Sequence, residues 1–447
     1  MKVDGKNAVP EQSPNKHVTR EREARRRLQA DDKDSRARAL LADALMCQDR
    51  LQEASLEFAK VAVADQSHPS AHKGLAAIAN YFGHPRRGRR IMQDFYEREP
   101  VELDPYGSDL PKERQPPAIV QIRGFDKTRI MLGARSDGTV STKLRGGHFT
   151  TKFLLLDPPF QVHRFTISRD NILRPDVLPP HSMILNTIAD ADVEGSSLKS
   201  LGTYLEQNPE SIIINRPERV ADTARDRNAE RLADIDGLVF PRTERVRFEN
   251  ASPDKVARKV DELEFSFPFL IRRVGTQTGR SFARVRNRQD LDDYVKERLN
   301  ATYFIIDYRK ILWNGRLFRK LRLFHIDGEF FPVVCHLDKV WNVHGGNRKT
   351  IMRGDETLMA EEKSFLNDWK SYVGTANVDR IETVAERTGL EFFGMDFTID
   401  EDGSLFIYEL NPAMRHSFDH ARNFPYKLPH DKAISNAFQA MILKRFP

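Results

Sequence analysis

Phe393-Gly-Met-Asp-Phe-Thr-Ile-Asp-Glu-Asp-Gly-Ser-Leu-Phe-Ile-Tyr-Glu-Leu-Asn-Pro412 reads as two apolar strands joined by a turn. Asp402-Gly403 between alternating apolar runs is a strong hairpin signal, with Gly403 supplying the positive φ. If those two residues form the loop, the register puts Asp396 directly opposite Glu409. Asn411 lies two residues on, on the same face as Glu409. Opposed carboxylates on an apolar hairpin repel each other, and a divalent cation removes the repulsion. Three oxygen ligands without His or Cys favour Mg2+ or Mn2+, with water and phosphate completing the shell. A solvated strand face accounts for the same pattern, and a longer loop breaks the pairing.

Two segments upstream carry positive charge on strands. Pro268-Phe-Leu-Ile-Arg-Arg-Val-Gly-Thr-Gln-Thr-Gly-Arg-Ser-Phe282 delivers Arg272 from an apolar strand into a loop with Gly275 and Gly279. Glycines let backbone N–H groups approach phosphate oxygens, and a fixed cation assists. Leu317-Phe-Arg-Lys-Leu-Arg-Leu-Phe-His-Ile-Asp-Gly328 places Lys320 and Arg322 on one strand face and Leu321 and Leu323 on the other. Paired cations there suit an anionic ligand. A Gly-rich hairpin loop and a solvated strand face are the alternative readings.

Around this region the 447 residues are too many for one ordinary domain. Residues 1–19 are polar and without periodicity, and read as a disordered tail with no signal peptide. Residues 20–102 are helical in pattern and repeat at an offset of 34. Leu41 and Ala42 recur as Leu75 and Ala76, Leu45 as Ala79, Phe58 as Met92, and Val61 as Phe95. Gly83 falls where a turn between paired helices belongs, and Pro100 ends the second unit. Residues 103–117 hold Gly107, Pro111, Pro116 and Pro117 and read as a linker. Residues 118–240 alternate apolar runs with helical stretches, which predicts a small parallel sheet. Its strands are expected at Ala118–Ile122, Phe153–Leu156, Ser182–Ile188 and Ser211–Asn215, with a helix at Ser196–Gln207. Arg129–Leu132 and Val140–Lys143 flank Asp137-Gly138 as a hairpin. Beyond Pro241 the strands become long and paired, as in an α+β domain.

Charged residues make up 30% of the chain, and no apolar run approaches the length of a membrane span. The net charge of +6 comes from Arg and Lys interspersed with Asp and Glu, with no basic, aromatic-interleaved RNA motif, so nucleic acid is not the expected partner. Cys47 and Cys335 are too few for a disulfide framework, which points to the cytoplasm.

Taken in order, these segments resemble the ATP-grasp superfamily, of the carboxylate–amine ligase type, over residues 118–425. The helices at 20–102 resemble tetratricopeptide repeats. The fold class implied is multidomain: all-α tetratricopeptide-like repeats, a preliminary α/β domain at 118–240, and an α+β ATP-grasp domain at 241–447. In that family a strand ending in Asn and Pro precedes a helix carrying a cation, here Asn215-Arg216-Pro217 and Arg225. The resemblance assigns Arg225, Arg272, Gly275 and Gly279 to ATP phosphates, Phe304, Ile305 and Ile306 to adenine, and Asp307 to ribose. It assigns Asp396, Glu409 and Asn411 to metal, Lys320 to phosphate, and Arg322 to the transferring phosphoryl group. Arg225 and Arg272 stand where the family usually has Lys, and a guanidinium fork is not interchangeable with an ammonium. Arg415, His416 and His420 follow the metal strand, and with His336, Trp341 and His344 they are candidates for the substrate pocket.

The implied cofactors are ATP and Mg2+ or Mn2+, and the implied reaction activates a carboxylate as an acyl phosphate for attack by an amine. The helical repeats would dock a protein or peptide partner. The alternatives are an ATP-grasp small-molecule kinase and a non-catalytic nucleotide-binding scaffold.

Overall fold

A computed structural model describes residues 16–134, 139–168, 173–248, 252–276, 281–296, 301–343 and 345–446. It opens with helices α1 (Lys16–Ala30), α2 (Ser35–Cys47), α3 (Leu51–Ala64), α4 (Pro69–Tyr81) and α5 (Pro85–Arg98). Strands β1 (Val101–Glu102), β2 (Ala118–Gly124), β3 (Arg129–Ala134), β4 (Val140–Arg145), β5 (Gln161–Ile167) and β6 (Met183–Asn186) follow, then α6 (Ala191–Gln207), β7 (Ile213–Ile214), α7 (Pro217–Ala221) and α8 (Arg225–Arg231). The next elements are β8 (Leu238–Val239), β9 (Thr243–Phe248), α9 (Pro253–Glu262), β10 (Phe269–Arg273), β11 (Phe282–Val285), α10 (Arg288–Lys296) and β12 (Ala301–Asp307). The chain ends with β13 (Phe318–Ile326), β14 (Glu329–Asp338), α11 (Arg348–Ile351), α12 (Glu356–Asn367), α13 (Trp369–Val373), α14 (Thr375–Thr388), β15 (Phe392–Ile399), β16 (Leu405–Asn411) and α15 (Leu428–Leu443). Among the described residues no helix is long and apolar enough to cross a membrane.

The chain divides into two compact units, 1–100 with 127–146 and 168–171, and the remainder. In the first, Ser35 and Pro69 open one helix of each pair and Leu51 and Pro85 the other, an offset of 34 residues in both cases. Of the residues read as repeating, Leu41, Ala42, Leu45, Phe58, Val61, Ala76, Ala79, Met92 and Phe95 are buried, and Leu75 is half-buried against the same core. Close packing of α4 depends on glycine. A Cβ on Gly74 would meet the Phe58 ring at 2.4 Å, and one on Gly88 would meet the Ala76 carbonyl at 2.7 Å.

The β3–β4 hairpin pairs as expected, and Asp137-Gly138 lies outside the described residues. It falls with the helices, not with the α/β strands that flank it in sequence. Leu132 and Val140 pack against the helical core, and Asn80 Nδ2 donates to the Ile130 carbonyl at 2.8 Å. A fragment beginning at Ala118 would therefore strip the helices from this apolar face. We expect it to give less soluble protein than a fragment beginning at Val101 with residues 127–146 replaced by a Gly/Ser linker. Equal soluble yields on size-exclusion chromatography would refute the expectation.

The second unit holds three sheets. The first has the order β1-β5-β2-β6-β7, with β5, β2, β6 and β7 parallel and β1 antiparallel at the edge. The strand expected at Phe153–Leu156 is not one. Leu155 N–H donates to the Thr151 carbonyl at 2.7 Å in a turn, Leu154 is buried in a core, and Asp157-Pro158-Pro159 stops extension. The sheet instead gains β5. The second sheet, β11-β10-β12-β9, is antiparallel and is backed by α9 and α10 through Val256, Val260, Leu291, Ile271 and Ile305. The third has the order β14-β13-β15-β16-β8, antiparallel except for the last pair.

Asn215 joins the first and third sheets. Its φ of 60° lies in the left-handed region, which Asn tolerates better than most residues. Its side chain then pairs with Phe392 as a strand would, Nδ2 donating to the carbonyl at 2.8 Å and Oδ1 accepting from N–H at 2.9 Å.

Candidate active site

The β15–β16 hairpin sets the site. Asp396 faces Glu409, but not through the two-residue loop that the sequence suggests. The tip is one residue longer. Asp400 N–H donates to the Ser404 carbonyl and Gly403 N–H to the Asp400 carbonyl, leaving Glu401, Asp402 and Gly403 as the loop. Gly403 supplies the positive φ, at 82°. That length alone would put Asp396 opposite Tyr408. The register shifts between Asp396 and Phe397, so Tyr408 is an extra residue, a β-bulge. The freed Tyr408 carbonyl accepts from Arg225 Nη1 at 2.5 Å.

Arg225 is the first residue of α8, and Asn228 lies one turn on along the same face. Asn228 Nδ2 donates to the Leu410 carbonyl at 2.9 Å. Both side chains therefore fasten α8 to β16, and Arg225 Nη2 comes within 3.4 Å of Glu409. On β10, Phe269 and Ile271 enter the core, so alternation turns Leu270 and Arg272 to the opposite face. Arg272 Nη1 is 3.9 Å from Glu409, and its Nη2 donates to the Thr276 carbonyl, holding the loop that contains Gly275. On β13, Leu321 and Leu323 are buried while Arg322 makes a bidentate pair with Asp396 at 2.6 and 2.9 Å. Lys320 Nζ is 3.1 Å from the same carboxylate.

Four cations thus enclose two carboxylates. Burial alone would raise the Asp396 pKa, but Arg322 and Lys320 hold its carboxyl well below the usual carboxylate range. Burial pulls the Arg225 pKa down, with Glu409 opposing. The cluster keeps two formal positive charges in excess. Excess charge in a half-buried setting is unfavourable until an anion neutralises it.

Asn411 Nδ2 donates to Glu409 Oε1 at 3.1 Å, and its Oδ1 accepts from Ala413 N–H at 2.8 Å. Among the described residues no group of three His, Cys, Asp or Glu side chains is arranged to hold a metal. Two carboxylates and an amide on one hairpin face nevertheless form a hard-oxygen set that fits Mg2+ or Mn2+, which keep several water and phosphate ligands. Both Asp396 oxygens are engaged by Arg322 and Lys320, so a phosphate that draws those cations away would free the carboxylate.

Two cavities share Arg225, Arg272, Lys320, Asp396 and Glu409 in their walls. The larger, of about 670 Å3, is also lined by Gly275, Phe304, Arg322, His336, Asn411, Arg415 and His420. The smaller, of about 130 Å3, is lined by Leu270, Ile306, Asp307, Val343, Phe406 and Tyr408, with Phe282, Tyr308 and Trp341. The Arg284 guanidinium lies 5.2 Å over the Tyr308 ring and 5.8 Å from that of Trp341.

No protein-family model matches the chain, and no curated protein matches it. Solved structures do. The VanG D-Ala:D-Ser ligase from Enterococcus faecalis is 12% identical, over 74% of this chain and 100% of its own, with a TM-score of 0.44. The D-alanine–D-alanine ligase from Bacillus anthracis complexed with ATP is 11% identical, over 74% and 98%, also with a TM-score of 0.44. A RimK domain protein ATP-grasp from Sphaerobacter thermophilus is 13% identical, over 73% and 99%, at 0.41. Two of these are ligases and the third is an ATP-grasp protein.

Two expected site residues turn away. Ile305 is fully buried against α9 and α10, because its neighbours Phe304 and Ile306 take the cavity face of β12. His416 is buried behind the cavity, with Nε2 3.2 Å from Ser435 Oγ. Burial lowers its pKa to about 4. Arg415 lines the large cavity while paired with Asp419 at 2.5 Å. Gly279 and His344 lie outside the described residues. Sequence reasoning missed Thr276, Gly345, Lys427 and Asp431, which line the large cavity. Lys427 and Asp431 bracket the start of α15, and nothing in that amphipathic pattern separates them from surface residues.

Proposed function

We propose that the chain is an ATP-grasp enzyme that uses ATP and Mg2+ to join a carboxylate to an amine. The observation that carries this reading is the cluster of four cations and two carboxylates opening onto an apolar slot. A ligand with a polyanionic tail and a flat apolar head satisfies both, as a nucleoside triphosphate does. Arg225, Arg272 and Lys320 would bind the phosphates, Leu270, Ile306 and Phe406 would flank the base, and Asp307 would meet the ribose. Asp396, Glu409 and Asn411 would hold Mg2+, which neutralises charge on the β- and γ-phosphates when bound.

In the reaction a substrate carboxylate oxygen bonds to the γ-phosphorus and ADP leaves, giving an acyl phosphate. Arg322 stabilises the charge on the transferring phosphoryl group. An amine then attacks the acyl carbon, inorganic phosphate leaves, the nitrogen loses a proton, and an amide remains. The Gly275–Thr276 loop, tied down by Arg272, would help keep water from the acyl phosphate. The helices at 20–102 would serve as tetratricopeptide-like repeats that dock a protein or peptide partner, and the enzyme would work in the cytoplasm.

Arg272→Ala tests the phosphate assignment. It is expected to weaken ATP binding by about 1.5–3 kcal/mol, the range for a hydrogen bond to a charged group. Unchanged affinity by calorimetry would return Arg272 to holding the Thr276 loop. The reaction class is tested with γ-labelled ATP, Mg2+ and a metabolite extract. Label is expected as free phosphate in step with a new amide. Label retained on an alcohol would replace the ligase with a kinase.

A further inference from the structure

The large cavity extends beyond its phosphate-facing cations. His336 is the cross-strand partner of Lys320, and its ring lies 5.8 Å from that of His420. Gly345 covers both rings. A Cβ there would stand 3.2 Å from His420, tighter than ordinary contact, and 3.4 Å from His336. Further along are Lys427 and Asp431. The charged neighbours that act on Asp431 are Lys427, Glu362 and Arg348, and none of the four phosphate-site cations is among them.

Asp431 is 1% exposed, yet its Oδ2 has no hydrogen-bond partner among the described residues. Its other oxygen is 3.9 Å from Lys427 Nζ, too long for a hydrogen bond. Lys427 is already committed, donating to the Val333 carbonyl. His336 Nδ1 is also buried and unpartnered. Burial and the surrounding cations keep that imidazole neutral, so it offers a lone pair as well as an N–H. Burial raises the Asp431 pKa to about 6, the mark of a carboxylate that lacks donors. A buried acceptor on a cavity wall is satisfied by a ligand that brings N–H groups.

We propose that Asp431 anchors the ammonium group of the amine substrate, in a subsite of the large cavity bounded by His336, His420 and Gly345. This rests on the ligase reading, in which the amine must meet the acyl phosphate formed beside Arg322. Arg348, Glu362 and Lys427 around it sum to one positive charge, which the Asp431 carboxylate balances. Asp431 is then a recognition residue for the second substrate, separate from the nucleotide machinery.

The test uses the full chain loaded with ADP and Mg2+, and ligand-detected NMR with methylammonium, ethanolamine, glycine and 1,4-diaminobutane. Methanol, ethylene glycol, acetate and 1,4-butanediol serve as matched controls. At least one amine should bind while its control does not, and Asp431→Asn should weaken it tenfold or more. ADP affinity and Tm should stay within twofold and two degrees of the parent. Asp431→Glu, which keeps the charge, should retain part of the amine binding. If ADP does not bind the parent protein, the nucleotide reading fails. If ADP binds but no amine does, the Asp431 assignment is overturned. It is overturned equally if the diols match the amines, or if Asp431→Asn lowers only Tm.

Discussion

Glu409→Gln is expected to lower turnover by about 10²–10³-fold, the range for removing one group that stabilises developing charge. The side chain keeps its shape, and at 36% exposure it is not a core element, so the fold should survive. Two opposite effects on binding make the result diagnostic. Arg225 and Arg272 lose their shared carboxylate, which raises the cluster's excess charge from two to three. Metal-free ADP should therefore bind at least as tightly as before, while the Mg2+-dependent gain in affinity shrinks. Calorimetry with and without Mg2+ separates the two. Full turnover of the variant at limiting Mg2+ would remove Glu409 from the metal site.

Glu362→Ala should give the largest loss of stability. Arg348 and Glu362 are an ion pair with side chains 1% and 0% exposed. Glu362 also accepts from Tyr426 Oη at 2.6 Å and from Cys335 N–H at 3.2 Å. Removing the carboxylate strands the Arg348 guanidinium in the interior, with the Phe424 ring 4.1 Å away as one remaining neighbour. Breaking one side of a buried pair typically costs about 3–5 kcal/mol. Trp313, Trp341 and Trp369 all lie in the second unit, so tryptophan fluorescence during urea unfolding reports on the right part of the chain. A loss below about 1 kcal/mol would mean that the charge of Arg348 is met elsewhere.

What could be read from the sequence followed from local periodicity. Alternation along β13 put Lys320 and Arg322 on one face, and the 34-residue offset located the paired helices. Alternation applied to β12 would also have excluded Ile305, since residues 304 and 306 share the face opposite to it. The opposition of Asp396 and Glu409 was reached through a loop one residue too short, and the bulge at Tyr408 restored the pairing. A bulge leaves no reliable mark in composition, because the extra residue is an ordinary strand former. The Arg348–Glu362–Lys427–Asp431 cluster was invisible for another reason. Its members come from α11, α12 and the start of α15, and only tertiary packing unites them. The β3–β4 hairpin looked local, and its placement with the helices is likewise a packing outcome.

The bulge also decouples the two ends of its hairpin. Residues Glu401, Asp402 and Gly403 are exposed, and the ladder is pinned in separate registers on either side of Tyr408. A change in tip length is absorbed before it reaches Asp396. This makes the tip a suitable attachment point for a fluorophore or affinity handle, where a reporter can be inserted without shifting the chemistry beneath it. The opposite holds for Tyr408. Deleting that single residue would remove the bulge, and although Glu409 would then follow Ile407 and stay opposite Asp396, the site would lose the carbonyl that receives Arg225.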